Sequence, residues 1–120
     1  MNPMMNQCLE MLPDSDFQLL LPHLKLMSLR VGESLNEAFS RPDKLYFPTS
    51  ALIALRKDTP DGLSLDTATV GAEGLLGLSG MTGNSYFHTI VAESGFAYQL
   101  DRIHLERLID LPPMITKMCM

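Results

Sequence analysis

The segment from Leu24 to Leu100 is built of short apolar runs separated by turn residues, and it holds no helix-length window of 3.6-residue periodicity. Such a texture predicts strands. The clearest hairpin pairs residues 51–57 with 63–70, because Pro60-Asp61-Gly62 supplies a pre-set turn angle and a residue that tolerates positive φ. Within 63–70 the apolar alternation slips phase near Asp66, which indicates a β-bulge or a different strand boundary. We therefore expect a strand-rich body.

Three further strands are predicted on either side of this hairpin. They cover residues 44–48, 87–93 and 95–100. Pro48 should lie at an edge or a break, since proline cannot donate to a β-ladder. The alternation of Phe96, Tyr98 and Leu100 places these side chains on one face.

A short amphipathic helix is predicted over residues 14–21. Ser15 and Gln18 form a capping-box pattern, and Pro22 must end or bend the helix. The apolar residues at helical spacing are Phe17, Leu20, Leu21 and Leu24. We interpret this apolar face as core packing rather than as a partner-binding groove.

A second helix is predicted near the C-terminus, with Asp101 as N-cap of residues 102–110. The prolines that follow Leu111 end it, and residues 111–120 are apolar at intervals, as in the start of another helix. Several short strands framed by helices favour a β-barrel or sandwich with helical flanks. The expected fold is mainly β, in a single domain over residues 1–120.

Composition limits the kind of protein this can be. The chain has 46% hydrophobic and 19% charged residues, enough apolar surface to fold. Its net charge is -5 and its basic residues are scattered, so we expect neither nucleic acid nor a membrane surface as a direct partner. No apolar run approaches the ~20 residues of a membrane helix. Cys8 and Cys119, far apart and without a preceding secretory signal, favour free thiols in a reducing cytoplasm.

Enzyme motifs are missing from the sequence. His23, His88 and His104 have no metal-ligand spacing, no Gly-x-Ser-x-Gly elbow occurs, and the acidic residues of the predicted strands are isolated. We expect no catalytic residues, no metal site and no cofactor.

A glycine-punctuated turn follows the predicted hairpin. Gly71, Gly74 and Gly77 recur at intervals of three, and Glu73 is the single acid among them. Such spacing permits close backbone approach and exposes N–H groups to an anion. The other interpretation is that these glycines serve turn geometry only.

Five short motifs occur in an informative order. They are Val31-Gly32-Glu33-Ser34-Leu35, Leu45-Tyr46-Phe47-Pro48-Thr49-Ser50-Ala51, Asp61-Gly62, Val70-Gly71-Ala72-Glu73-Gly74-Leu75-Leu76-Gly77-Leu78 and Gly95-Phe96-Ala97-Tyr98. From about residue 15 onward the chain resembles the sensor domain of Crp/Fnr-type bacterial transcription regulators. The resemblance implies a cyclic-nucleotide-binding-like double-stranded β-helix, a jelly-roll-like barrel with short helices at both ends. It also implies that residues 111–120 begin a dimerisation helix, cut short here, which normally leads to a helix-turn-helix DNA-binding domain.

The resemblance also identifies a divergent phosphate cassette. Family members that bind cyclic nucleotides carry a Gly-Glu pair for the ribose and, about ten residues later, an arginine for the phosphate. The corresponding positions here read Gly74-Leu75-Leu76 and Ser85-Tyr86-Phe87-His88-Thr89, and Glu73 comes one residue too early. Burying an anion without a cation is costly, and a neutral imidazole replaces arginine only in part. The predicted ligand-binding residues are Gly71, Glu73, Gly74, Leu75, Leu76, Gly77, Phe87, His88 and Thr89.

The leading hypothesis is a non-enzymatic sensor domain of a Crp/Fnr-like regulator. Its small-molecule effector would not be an ordinary cyclic nucleotide, it would dimerise through the C-terminal helix, and DNA would be bound only by a domain absent from this chain. One alternative is a genuine cyclic-nucleotide-binding domain in which the glycine turn and His88 hold the phosphate. A stand-alone interaction module without ligand is another, and a cupin-like metalloenzyme would need metal ligands that the sequence does not supply.

Overall fold

The computed structural model describes residues 2–37, 39–77 and 87–106, where the strands form two antiparallel sheets. The strands are β1 (Lys25–Leu29), β2 (Ser34–Asn36), β3 (Lys44–Pro48), β4 (Leu52–Asp58), β5 (Ser64–Val70), β6 (His88–Glu93) and β7 (Gly95–Asp101). The α-helices are α1 (Gln7–Glu10), α2 (Asp14–Leu20) and α3 (Arg102–Glu106), with 3-10 turns at Pro3–Met5 and Leu21–His23. The predicted mainly β fold with short helices at both ends is confirmed.

The chain is arranged in three layers. The three-stranded sheet has the order β1-β7-β3, and the four-stranded sheet has the order β2-β6-β4-β5. One buried cluster lies between the two sheets; the other lies between the three-stranded sheet and the N-terminal helices. Because side chains alternate along a strand, neighbours in β7 serve different clusters: Ala97 faces the four-stranded sheet, and Tyr98 faces the helices. We call these the inter-sheet cluster and the helix-side cluster.

The predicted hairpin is present as β4 and β5. Its turn contains Gly62 at φ 84°, as the positive-φ argument requires. Leu55 pairs with Ala68, but the next residue, Arg56, pairs with Asp66, so Thr67 is the extra residue of a β-bulge. The slip in the apolar alternation is thereby explained, and the bulge is confirmed.

The first predicted helix is confirmed with the predicted start and a different N-cap. Helix α2 begins at Asp14, its N-cap is Pro13, and no side chain makes a capping hydrogen bond. The capping-box prediction at Ser15 is therefore wrong, since Pro13 fixes the backbone before Ser15 can act. Pro22 lies in the 3-10 turn that ends the helix, as expected.

The C-terminal helix begins at Arg102, as predicted. Asp101 ends β7, and its carboxylate pairs with the ammonium of Lys44. That hydrogen bond, together with the Lys44 charge and those of the nearby histidines, lowers the pKa of Asp101 despite some desolvation. Residues 107–110 and 111–120, where the helix end and the truncated dimerisation helix were predicted, lie outside the described residues.

Neither sheet closes on itself within the described part of the chain. The architecture seen is a sandwich of two open sheets with a shared apolar interior. Closure into a jelly-roll-like barrel stays a prediction. No helix among residues 2–37, 39–77 and 87–106 is long and apolar enough to cross a membrane.

Candidate functional site

The glycine turn, residues 71–77, leaves β5 and runs back along the edge of β3. The N–H of Gly74 donates to the Gly71 carbonyl with an N···O distance of 3.1 Å. Leu76 and Tyr46 then exchange both backbone hydrogen bonds at 3.0 Å. The end of the turn is thus a one-residue strand added beside β3.

Two of its glycines permit close approach within the protein itself. Gly77 has φ 97°, and a Cβ built there would collide with the backbone carbonyl of Lys44 in β3. At Gly71 a Cβ would lie 3.1 Å from Oε2 of Glu73. Turn geometry and contact with β3 therefore account for Gly77 without a ligand, whereas the atom nearest Gly71 is the end of a flexible side chain.

The single acid of the turn contacts the turn's own backbone. Oε1 of Glu73 accepts a hydrogen bond from the N–H of Gly71 at 3.0 Å, although the side chain is exposed. One of the N–H groups predicted to bind an anion, that of Gly71, is thus already bonded to a carboxylate of the protein.

The two leucines of the turn anchor it to both sides of the three-stranded sheet. Leu75 is fully buried in the helix-side cluster, and Leu76 is buried in the inter-sheet cluster. Since neither side chain is accessible, each can shape a site only through the backbone it holds. Leu75 packs on the helix side of the three-stranded sheet.

The N-terminal segment contacts the glycine turn on the helix side of the three-stranded sheet. This contact was not predicted from the sequence. Asn6 is fully buried, and its Nδ2 donates to the carbonyls of Pro48 at 2.7 Å and Gly74 at 2.9 Å. Its Oδ1 accepts from the N–H groups of Cys8 and Leu9, so the same side chain caps α1. An asparagine before a short apolar segment was the only available signal.

Phe87 and Thr89 contribute to the sandwich interior. Thr89 is buried and lies opposite Leu55, a member of the inter-sheet cluster, and Val91 two residues on belongs to the same cluster. Phe87 packs against that cluster. The structure thus brings these two predicted residues to the same interior as Leu76.

His88 lies on the opposite face of β6. It pairs with Arg56, outside the sandwich, and its Nε2 is 2.7 Å from Oγ of Ser34. The same hydroxyl donates to Glu37 Oε1 at 3.1 Å, and Glu37 Oε2 lies 3.9 Å from the histidine nitrogen. The imidazole therefore contacts side chains of β2 and of the loop after it, and the sheet separates it from Thr89.

The region between the turn and β6 carries almost no charge. From Gly71 to Ala92 the sequence has one acid, Glu73, and no lysine or arginine. The described members of the inter-sheet cluster are apolar. Among the described residues, no three His, Cys, Asp or Glu side chains are placed to hold a metal ion. The site offers glycine-turn backbone, apolar surface and the Thr89 hydroxyl.

No protein-family model matches the chain, and no curated protein matches it. Solved structures do. A cyclic nucleotide-binding-like protein from Brucella abortus is 18% identical with a TM-score of 0.67, over 83% of this chain and 87% of that chain. The N-terminal domain of a transcriptional regulator from Streptomyces coelicolor is 20% identical with a TM-score of 0.72, over 98% and 86%.

A third structure, from Trypanosoma cruzi, is the regulatory subunit of a cAMP-independent protein kinase A bound to guanosine. It is 15% identical with a TM-score of 0.78, and the match covers 95% of this chain and 40% of that one. At these identities the similarity shows the fold alone. The fold is that of cyclic nucleotide-binding-like domains.

Proposed function

We propose that this chain is a non-enzymatic sensor domain of a Crp/Fnr-like transcription regulator and that its effector is an uncharged small molecule. The absence of any lysine or arginine between Gly71 and Ala92 carries the proposal. A cyclic nucleotide brings a phosphate anion, and a buried anion needs a cation or several charge-assisted hydrogen bonds. A neutral effector has no such requirement.

The geometry of Glu73 supports the same conclusion. Its carboxylate accepts from the N–H of Gly71 and would repel a phosphate approaching the turn. An anion would have to displace that carboxylate before using the N–H group. A neutral ligand would meet no such repulsion.

We propose that the effector contacts Phe87 and Thr89 from between the sheets, with the backbone of the glycine turn beside it. The Thr89 hydroxyl suits a ligand with apolar surface and one or two hydrogen-bonding groups. The Trypanosoma cruzi structure supports this class of ligand, since guanosine is a nucleoside without a phosphate. His88, on the outer face, is then not a ligand contact.

The regulatory context is also part of the proposal. The Streptomyces coelicolor structure is the N-terminal domain of a transcriptional regulator, which supports a similar position for this chain in a longer cytoplasmic protein. DNA would be bound by another domain, and two copies would pair through the C-terminal helix predicted to begin within residues 111–120. A jelly-roll-like closure of the two sheets belongs to the same proposal.

Thermal unfolding with added ligands tests the function. A ligand at 100 times its Kd stabilises the folded state by about 2.7 kcal/mol. Each nucleoside is compared at equal concentration with its 3′,5′-cyclic phosphate, and a wider panel of neutral metabolites follows. We expect stabilisation by neutral compounds and none by the cyclic phosphates.

Two threonine variants connect any binding to the proposed site. Thr89→Val removes the buried hydroxyl with little change in shape and should weaken binding by about tenfold, whereas Thr69→Val, at an exposed position of β5, should not. If cyclic phosphates stabilise the protein and His88→Ala abolishes the effect, the alternative with a histidine-held phosphate is correct and our proposal is wrong.

A further inference from the structure

Asn6 is a buried polar side chain whose hydrogen bonds join distant parts of the chain. One N–H of its amide donates to the carbonyl of Pro48, the last residue of β3, and the other donates to the carbonyl of Gly74 in the glycine turn. Its oxygen caps α1 through the N–H groups of Cys8 and Leu9. An amide has two donor hydrogens and two acceptor lone pairs, so this side chain is fully used.

The two residues after Asn6 extend the contact. The N–H of Gln7 donates to the Ala72 carbonyl at 2.7 Å, and Sγ of Cys8 lies 3.7 Å from the Glu73 carbonyl. Three consecutive residues of the N-terminal segment therefore contact three consecutive carbonyls, those of residues 72–74. Leu75 continues the contact by packing in one cluster with Cys8 and Leu9.

We infer that residues 2–12, the N-terminal arm, move with the glycine turn as one unit and that Asn6 is the positioning residue that fastens them. Only one consequence of this inference rests on the proposed function: an effector that moves the turn would also move the arm. The attachment itself is a property of the chain without ligand.

The physical reason is the cost of separating the two segments. If the turn moved alone, one N–H of the buried Asn6 amide and the carbonyl of Gly74 would lose each other as partners inside the protein. An unsatisfied buried polar group is far more costly than one hydrogen bond is favourable. Opening the turn and releasing the arm should therefore be a single cooperative event.

Hydrogen–deuterium exchange of single backbone amides tests the coupling. The Gln7 amide reports the arm, and the Leu76 amide, bonded to Tyr46, reports the turn. Asn6→Ser keeps a residue suited to capping α1, while its shorter side chain cannot reach both carbonyls. The matched control is Asn36→Ser, because the Asn36 amide, at the end of β2, also donates to two carbonyls, those of Glu37 and Ser40.

We expect Asn6→Ser to speed exchange at Gln7 and Leu76 together, each by at least about tenfold, with the amides of β4 unchanged. Asn36→Ser should leave both reporters as in the wild type. Faster exchange at Gln7 with an unchanged Leu76 would overturn the inference. So would an equal acceleration in β4, since that would mean general destabilisation.

A second measurement uses the unaltered protein and covers the case in which Asn6→Ser does not fold. Native-state exchange in rising urea gives an opening free energy for each amide. Gln7 and Leu76 should follow one common dependence on urea. Separate dependences would overturn the coupling. Neither experiment uses a ligand, so failure here concerns the arm, and failure of the ligand panel concerns the proposed function.

Discussion

Replacing Gly77 by alanine tests the claim that the glycine turn is built against β3. Two effects add at this position. A non-glycine residue in the left-handed region costs about 1–2 kcal/mol, and Gly77 has φ 97°. The new Cβ would also collide with the Lys44 carbonyl, which is backbone and cannot turn aside. Relief of the collision requires the turn to leave β3.

Leaving β3 breaks the two hydrogen bonds between Tyr46 and Leu76, each contributing about 1 kcal/mol. We therefore expect Gly77→Ala to lower the free energy of unfolding by about 3–4 kcal/mol. Gly32→Ala is the matched control, since Gly32 has φ 92° with no atom within 4 Å of a built Cβ. The free energy of unfolding of Gly32→Ala should fall only by the cost of a left-handed non-glycine residue, about 1–2 kcal/mol.

Urea unfolding followed by far-ultraviolet circular dichroism measures both variants, because the chain has no tryptophan for fluorescence. The account requires a gap of about 2 kcal/mol between the two losses. Equal losses would mean that the contact with β3 contributes nothing, and the reasoning would be refuted.

Three further predictions concern the core and the titrating groups. Leu75→Ala should cost about 2–5 kcal/mol by urea unfolding, against less than about 1 kcal/mol for the exposed Leu65→Ala; equal costs would contradict the burial of the turn. Burial, and secondarily the Glu73 charge, raises the pKa of the Cys8 thiol to about 11, so its alkylation at pH 8, mapped by mass spectrometry, should be at least about 100-fold slower than in unfolded chain. The pKa of Asp101 is lowered from its ordinary value of 3.8. The ionised carboxylate therefore stabilises the folded protein above pH 3.8, and this stabilisation is lost as pH falls through the lower pKa of the folded state. Asp101→Asn should therefore be less stable than wild type at pH 7, with a deficit that shrinks as pH falls below 3.8, and a deficit that does not change with pH would disprove the linkage.

The strands were predictable because one buried face dictates their alternation. The run from Gly95 to Leu100 follows from which residues must be buried. The hairpin follows from its turn residues, and the slip near Asp66 indicated a bulge or a different boundary, of which the bulge at Thr67 is the one found. The same rule puts His88 and Thr89 on opposite faces of β6, so grouping them at one site overlooked information already in the sequence.

The contacts of the glycine turn could not be predicted from local patterns. The spacing of Gly77 from the other glycines is visible in the sequence. The need for glycine at this position comes from the carbonyl of Lys44, which lies on a different strand. Asn6 bonds to carbonyls 42 and 68 residues away. Partners at such separations are fixed by tertiary packing, and no periodicity in a single sequence specifies them. The Ser15 prediction failed for the opposite reason, since a real local pattern was overridden by Pro13.

Our main proposal is that residues 71–92 cannot hold a cyclic phosphate, although the fold is that of cyclic nucleotide-binding-like domains. Isothermal titration calorimetry of the purified protein with cyclic AMP, cyclic GMP and cyclic dinucleotides tests it most directly. We predict no binding with a Kd below about 1 mM, because the region from Gly71 to Ala92 has no lysine or arginine to replace the water around the phosphate. Micromolar binding of any of these anions would contradict the account.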